Sequence, residues 1–256
     1  MFDDAKAFSQ LQKKIIDFPE TVVVLGSGWN KLLDNVSAEI IIDYDELFGV
    51  KTTVPGHKGQ LIIASVNKKR VAFMSGRFHM YEGYSAYQST TPIRVFTKAG
   101  MKNLILTAAC GGLNKKYRVG DFIILNDIIT LFLSLDSPLQ EKQFVDLSQP
   151  FSSTLRKTAL KIAKTNRLSH HEGNYVYYHG PNYESFSDKK ALAKIGADVC
   201  RMSVAPEVLV ARSLNINVLG LAFVTNLAFV KHDHKEVVAQ ANKASQQMKT
   251  LLLSIL

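Results

Sequence analysis

Apolar residues recur along this chain in two rhythms. Residues 5–18 place Phe8, Leu11, Ile15 and Phe18 three or four positions apart, which predicts an amphipathic helix. Residues 21–25 are instead a continuous, largely β-branched run that ends in Gly26-Ser27-Gly28, a buried strand followed by a tight turn. The same reasoning predicts strands at 39–43, 61–66, 71–74, 103–108, 122–126 and 218–225, several of them apolar throughout, as a sheet covered on both faces requires. Helices are predicted at 85–99, 152–166, 187–195 and 205–213. A last helix follows from Val237, Ala241, Ala244, Met248, Leu251 and Ile255, with Asp233 as N-cap and Glu236 as its capping-box partner. Residues 132–150 have no such rhythm and predict a long surface loop. No linker, repeat or low-complexity tract interrupts the alternation, so residues 1–256 are expected to form one α/β domain.

Composition narrows the class without naming it. The chain is 46% hydrophobic and 21% charged, enough apolar residues for a substantial core. No apolar run approaches the ~20 residues that span a bilayer, and Met1-Phe2-Asp3-Asp4 lacks the basic and apolar regions of a signal peptide. Cys110 and Cys200, the two cysteines, both in apolar surroundings, read as buried free thiols in a reducing compartment, so a cytoplasmic location is expected. The net charge of +9 is spread over separate pairs such as Lys13-Lys14 and Lys115-Lys116 rather than a stripe interleaved with aromatics. It predicts a solvated basic surface and no nucleic-acid partner, although a positive field would attract an anionic substrate.

Candidate chemistry is densest at residues 75–83, Ser-Gly-Arg-Phe-His-Met-Tyr-Glu-Gly. If the preceding strand runs on, Arg77, His79 and Tyr81 share one face. A guanidinium fork, an imidazole and a phenol together suit a phosphate beside a sugar. Gly26-Ser27-Gly28 fails as a dinucleotide fingerprint, because Lys31 stands where the third glycine belongs, and fails as a P-loop; an anion cradle of backbone N–H groups remains. Further segments read as strand ends are Thr107-Ala108-Ala109-Cys110-Gly111-Gly112, Gly180-Pro181-Asn182-Tyr183-Glu184, Met202-Ser203 and Thr225-Asn226, and Val54-Pro55-Gly56-His57 is a turn presenting an imidazole. Each alone is an ordinary turn or core segment; ligands of α/β sheets bind where strands end. His232-Asp233-His234 and His170-His171-Glu172 lack metal-site spacing, no Gly-x-Ser-x-Gly elbow occurs, and neither cysteine has an evident electropositive partner.

Taken in order, GSGW at 26–29, VPGH at 54–57, SGRFHMYEGY at 75–84, TAACGGLN at 107–114, GPNYES at 180–185, MSVAPE at 202–207 and TN at 225–226 resemble the trimeric purine nucleoside phosphorylase family. The resemblance runs from about residue 20 to about residue 245. It implies a single-domain fold with a central mixed, largely parallel twisted sheet flanked by helices. It also implies phosphorolysis of 6-oxopurine ribo- and deoxyribonucleosides such as inosine and guanosine, in a homotrimer, with phosphate as co-substrate and no cofactor or metal. Ser27, His57, Arg77, His79, Ser203 and the Ala109 backbone N–H match the phosphate site. Tyr81, Met202 and His234 match the ribose contacts, Tyr183 an aromatic ring near base and sugar, and Glu184 and Asn226 the purine-binding pair. Asn226, Glu184, His79 and His234 are thereby the expected catalytic residues.

The chain departs from the family pattern at a short 132–150 loop, where Phe132 and Phe144 are the available aromatics, and at Arg201, Tyr178 and Leu227. Tyr178 points toward a xanthosine-preferring or broader enzyme as the alternative. A methylthioadenosine enzyme is disfavoured by Asn226 in place of an aspartate. A non-catalytic nucleoside- or phosphate-binding module would be expected to lose at least one of Arg77, His79, Glu184, Asn226 and His234, all of which are present.

Overall fold

The computed structural model describes residues 2–54, 56–133, 136–139, 144–230 and 244–256. Helix α1 (Asp4–Lys14) starts where the Asp3 carboxylate accepts from Lys6 N–H, and it stops four residues before the predicted end. Ile15 and Phe18 are buried all the same, as chain leading into β1 (Thr21–Leu25). Then follow β2 (Ala38–Asp43), the short α2 (Tyr44–Phe48), β3 (Gln60–Val66) and β4 (Lys69–Ser75). The helix predicted at 85–99 is two pieces, α3 (Ala86–Ser89) and α4 (Thr91–Lys98). Pro92 is the cause: it has no N–H to donate and is tolerated in the first turn, so a new helix starts there.

Strand β5 (Asn103–Gly112) runs four residues past its predicted end, and β6 (Phe122–Ile129) and α5 (Ser153–Thr165) follow. Strand β7 (His170–Tyr177) begins in the polar His-His-Glu segment, which hid it from a pattern-based reading. The chain continues with α6 (Phe186–Lys194), the three-residue β8 (Val199–Arg201), α7 (Ala205–Ser213), β9 (Asn217–Leu227) and α8 (Ser245–Ile255). The predicted cap at Asp233 and Glu236, like His234, lies outside the described residues.

The nine described strands form one mixed sheet, β2-β3-β4-β1-β5-β8-β7-β6-β9, in which β5 also pairs with β9. That extra pairing closes β5, β8, β7, β6 and β9 into a ring, with β2, β3, β4 and β1 as an open wing. Strands β4, β1, β5 and β9 run parallel, and β6, β7 and β8 run against β5 and β9. Alternation along β1 divides the core. Val22 and Val24 pack with Leu11, Phe96 and Val208 on one face, and Val23 and Leu25 with Ala159 and Leu251 on the other. Both faces are covered, which is why the strands read as unbroken apolar runs.

Where β1 ends, the backbone of Gly26 lies against β5. A Cβ there would sit 2.5 Å from the Thr107 carbonyl oxygen, while Gly26 N–H donates to Thr107 Oγ1 at 2.9 Å. Only glycine permits this approach. Gly26→Ala is therefore expected to cost about 1–3 kcal/mol through overpacking, read as a lowered midpoint in denaturant unfolding.

Candidate active site

The C-terminal ends of β1, β4 and β5 and the segment after β8 surround one cleft, lined by Gly26, Ser27, His57, Arg77, His79, Tyr81, Thr107, Ala108, Ala109, Arg201, Met202 and Ser203. The alternation expected to align Arg77, His79 and Tyr81 does not persist, because β4 stops at Ser75 and Gly76 turns the chain with φ +104°. Convergence is reached differently. The turn directs Arg77 into the interior, and residues 80–82 form a single helical turn that brings Tyr81 back beside His79. The rings of His79 and Tyr81 stack at 4.6 Å, and those of His57 and His79 at 5.4 Å.

Arg77 is 2% exposed. Its Nη1 donates to Glu207 Oε2 at 3.0 Å and its Nη2 to the Thr107 carbonyl at 2.6 Å. Nε of Arg77 and Nε2 of His57 are buried and without a hydrogen-bond partner among the described residues. Two unsatisfied polar atoms in one cleft are what an oxygen-rich ligand would complete. Glu207 also accepts from Val204 N–H at 3.2 Å. Val204 has φ +69° and ψ −56°, and Ala205 N–H donates back to the Ser203 carbonyl at 2.8 Å, a γ-turn that a β-branched residue adopts only under strain. This turn presents Ser203, whose N–H donates to Tyr175 Oη at 3.2 Å.

Glu82 holds the other wall. Its Oε1 accepts from His79 N–H at 2.8 Å and from His79 Nδ1 at 3.2 Å; its Oε2 accepts from Thr53 N–H at 2.8 Å and Thr53 Oγ1 at 2.9 Å. Burial alone would raise this carboxyl, but these hydrogen bonds outweigh it and hold Glu82 at about 2. The imidazoles go the same way for a different reason. Burial, reinforced by His79 and Arg77, lowers His57 to about 3, and burial lowers His79 despite the Glu82 hydrogen bond. Both rings are thus neutral near pH 7.

Next to this cleft lies a second group. The Cys200 thiol donates to Glu184 Oε1 at 2.8 Å, and Cys200 pairs with Gly111 across β8 and β5. The β5–β9 register jumps here: Cys110 faces Val224 but Gly111 faces Asn226, leaving Thr225 as the extra residue of a bulge. A Cβ on Gly111 would lie 3.3 Å from Asn226 Nδ2, so the glycine admits the amide. Thr225 Oγ1 donates to Asn226 Oδ1 at 3.1 Å and steadies it. Tyr183 is partly exposed, with the Arg201 guanidinium 5.8 Å from its ring centre. Met202 fills the space that a side chain at Gly180 would need.

Ser27, His57, Arg77, His79, Tyr81, Ala109, Met202 and Ser203 therefore share one cleft, with Tyr183 on its Arg201 side, and Glu184 and Asn226 flank Cys200 and Gly111. Sequence reasoning missed Glu82, Glu207 and Tyr175. Glu207 had a readable signal, a carboxylate three residues after a helix N-cap position. Tyr175 had none, since it sits on the strand that the polar residues concealed. The cysteine reading needs one correction: the Cys200 thiol faces a carboxylate rather than purely apolar neighbours. Among the described residues no cluster of three or more His, Cys, Asp or Glu is arranged to hold a metal ion, and no helix is long and apolar enough to cross a membrane.

A sequence profile of the Phosphorylase superfamily matches residues 20–256. Purine nucleoside phosphorylase 1 of Geobacillus stearothermophilus is 37% identical over 91% of this chain and 89% of its own length. Isoform 2 of the Schistosoma mansoni purine nucleoside phosphorylase, solved with cytosine and ribose-1-phosphate, superposes with a TM-score of 0.91 at 33% identity, covering 98% of this chain and 94% of that one. A Schistosoma purine nucleoside phosphorylase solved with hypoxanthine gives 0.90 at 35% identity, over 98% and 95% of the two chains. The sheet, its cleft at the strand ends and these likenesses define a phosphorylase. The chain belongs to the purine nucleoside phosphorylase family and is an enzyme of that class.

Two expectations follow from the geometry. Glu207→Ala strands a buried guanidinium and should cost about 3–5 kcal/mol, measured by chemical unfolding. His57, whose folded pKa lies below its ordinary 6.5, should keep a neutral imidazole spectrum in NMR titration across roughly pH 5–8. Because the unfolded chain takes that proton first, His57 contributes a loss of stability as pH falls below 6.5 toward 3.

Proposed function

We propose that this enzyme catalyses reversible phosphorolysis of 6-oxopurine ribo- and deoxyribonucleosides, inosine and guanosine foremost, to the free base and (deoxy)ribose 1-phosphate. Inorganic phosphate is the co-substrate, and no metal or organic cofactor takes part. Residues 1–256 act as one catalytic domain. The observation that carries the reading is the pairing of two sites: a cleft with unsatisfied Arg77 and His57 nitrogens beside a carboxylate and an amide, Glu184 and Asn226. The hypoxanthine and the ribose-1-phosphate held by the two Schistosoma enzymes are the kinds of ligand these sites suit.

In this reading Ser27, His57, Arg77, His79, Ser203 and the Ala109 N–H hold phosphate. Tyr81, Met202 and His234 hold the ribose, and Tyr183 packs near base and sugar. As the glycosidic bond lengthens, positive charge builds on the ribose and negative charge on the purine. The phosphate lies against the cationic sugar and then bonds to its C1′, while the bonding pair leaves with the base. Asn226 bridges purine N7 and O6, and Glu184 accepts from N1–H, which neutral adenine lacks. Hydrogen bonds that strengthen as charge develops contribute roughly 10²–10³-fold each. With Nδ1–H engaged by Glu82, His79 keeps Nε2 for a protonated phosphate oxygen.

A homotrimer in the cytoplasm, working in purine salvage, completes the proposal. Exposed Phe132 and Phe144 are apolar surface that a neighbouring subunit would cover, and both cysteines are free thiols. An ultraviolet assay of inosine, guanosine, xanthosine, adenosine and methylthioadenosine, with and without phosphate, is the test. Phosphate-dependent cleavage should favour inosine and guanosine. A preference for xanthosine or adenosine would overturn the substrate assignment, and no cleavage of any nucleoside would overturn the reaction. Asn226→Ala should lower turnover of inosine by about tenfold or more.

A further inference from the structure

The cleft has an unusual balance of charge for an anion site. Arg77 is tied at 3.0 Å to the buried Glu207 carboxylate, so much of its positive charge is already answered. Burial holds His57 at about 3 and lowers His79, and Glu82 stays ionised against the same wall. A phosphate, which carries between one and two negative charges near pH 7, would meet little net positive charge from these five residues.

Among the described residues, one further cation lines the cleft. Arg201 ends β8, immediately before Met202 and Ser203, and its guanidinium stands 5.8 Å from the centre of the Tyr183 ring. Its backbone is fixed, since its carbonyl accepts from Tyr178 N–H at 2.9 Å. Its side chain enters no hydrogen bond or salt bridge among the described residues. Guanidinium is the side-chain group best matched to phosphate oxygens, and three aliphatic carbons give it reach. The Tyr183 face supports it without consuming its donors.

We propose that Arg201 is a second phosphate-binding residue, which closes on the co-substrate from the Ser203 side and supplies the countercharge that Arg77 shares with Glu207. This rests on the phosphorolysis reading above. Arg201 is then part of anion recognition rather than of base selection. It acts equally on the 1-phosphate of the sugar product, so the reverse reaction depends on it too.

The test compares wild type with Arg201→Gln and Arg201→Lys. Arg201→Gln should raise KM for inorganic phosphate, and KM for ribose 1-phosphate in the reverse direction, by about tenfold or more, the scale of one charged hydrogen bond. KM for inosine should stay within about twofold, and Arg201→Lys should recover part of the loss because the charge is kept. A phosphate KM unchanged in Arg201→Gln, or a loss falling on the nucleoside instead, would overturn the proposal. Calorimetric titration of inorganic phosphate into wild type and Arg201→Gln separates the two readings. Wild type that binds phosphate but cleaves no nucleoside removes the reaction, and the difference in affinity then decides Arg201 alone. Equal affinities would sink the assignment.

Discussion

The Glu207 carboxylate is the constraint on which the cleft depends. It receives Arg77 from the β4 turn and Val204 N–H from the turn before α7, so two segments far apart in sequence are fixed by one group. Removing charges from water is expensive, and the ion pair survives because further hydrogen bonds complete it, including that of Arg77 to the Thr107 carbonyl. The same contact sustains the strained γ-turn at Val204, which aims Ser203 into the cleft. Conformational strain and a buried charge, each unfavourable alone, are thus stabilised by a shared partner. The arrangement keeps the guanidinium from swinging, so its orientation is set before any ligand arrives.

Around that anchor the walls are shaped by what is left out as much as by what is present. Glycine at 26, 111 and 180 makes room respectively for the β5 backbone, the Asn226 amide and the Met202 side chain. The bulge at Thr225 shifts the register by one residue and turns Asn226 toward Gly111; a regular ladder would have aimed it elsewhere. Glu82 does for the imidazoles what Glu207 does for the guanidinium, linking His79 to the Thr53 segment that leads to His57. Both carboxylates position other groups instead of facing the cleft themselves.

Much of this was legible from residues alone. The apolar runs located β1, β3, β4 and β9, and the motifs named the cleft residues, because short motifs at strand ends are local features. What stayed hidden is non-local. Glu207 lies 130 positions from its partner Arg77, and nothing in a linear reading joins them. Strand β7 was concealed by polar residues where it faces solvent, and the three-residue β8 is too short to show a period. The expected face of Arg77, His79 and Tyr81 was right in its outcome but not in its cause, since a glycine turn and a helical turn replaced the extended strand. The helix start near Asp233 and the place of His234 lie outside the described residues.

The ring of five strands has a consequence for how the chain reaches this structure. Strand β9 sits between β5 and β6, yet it is the last of the nine described strands in sequence order. During synthesis, the edges of β5 and β6 that β9 will occupy are therefore left open until residues 217–227 emerge. Those edges belong to long, almost wholly apolar strands, the kind that pair readily with other chains. Asn226 is among the residues that close the gap, so its amide arrives in the same event that closes the ring. A nascent chain cannot carry a competent site before it has lost its stickiest edges.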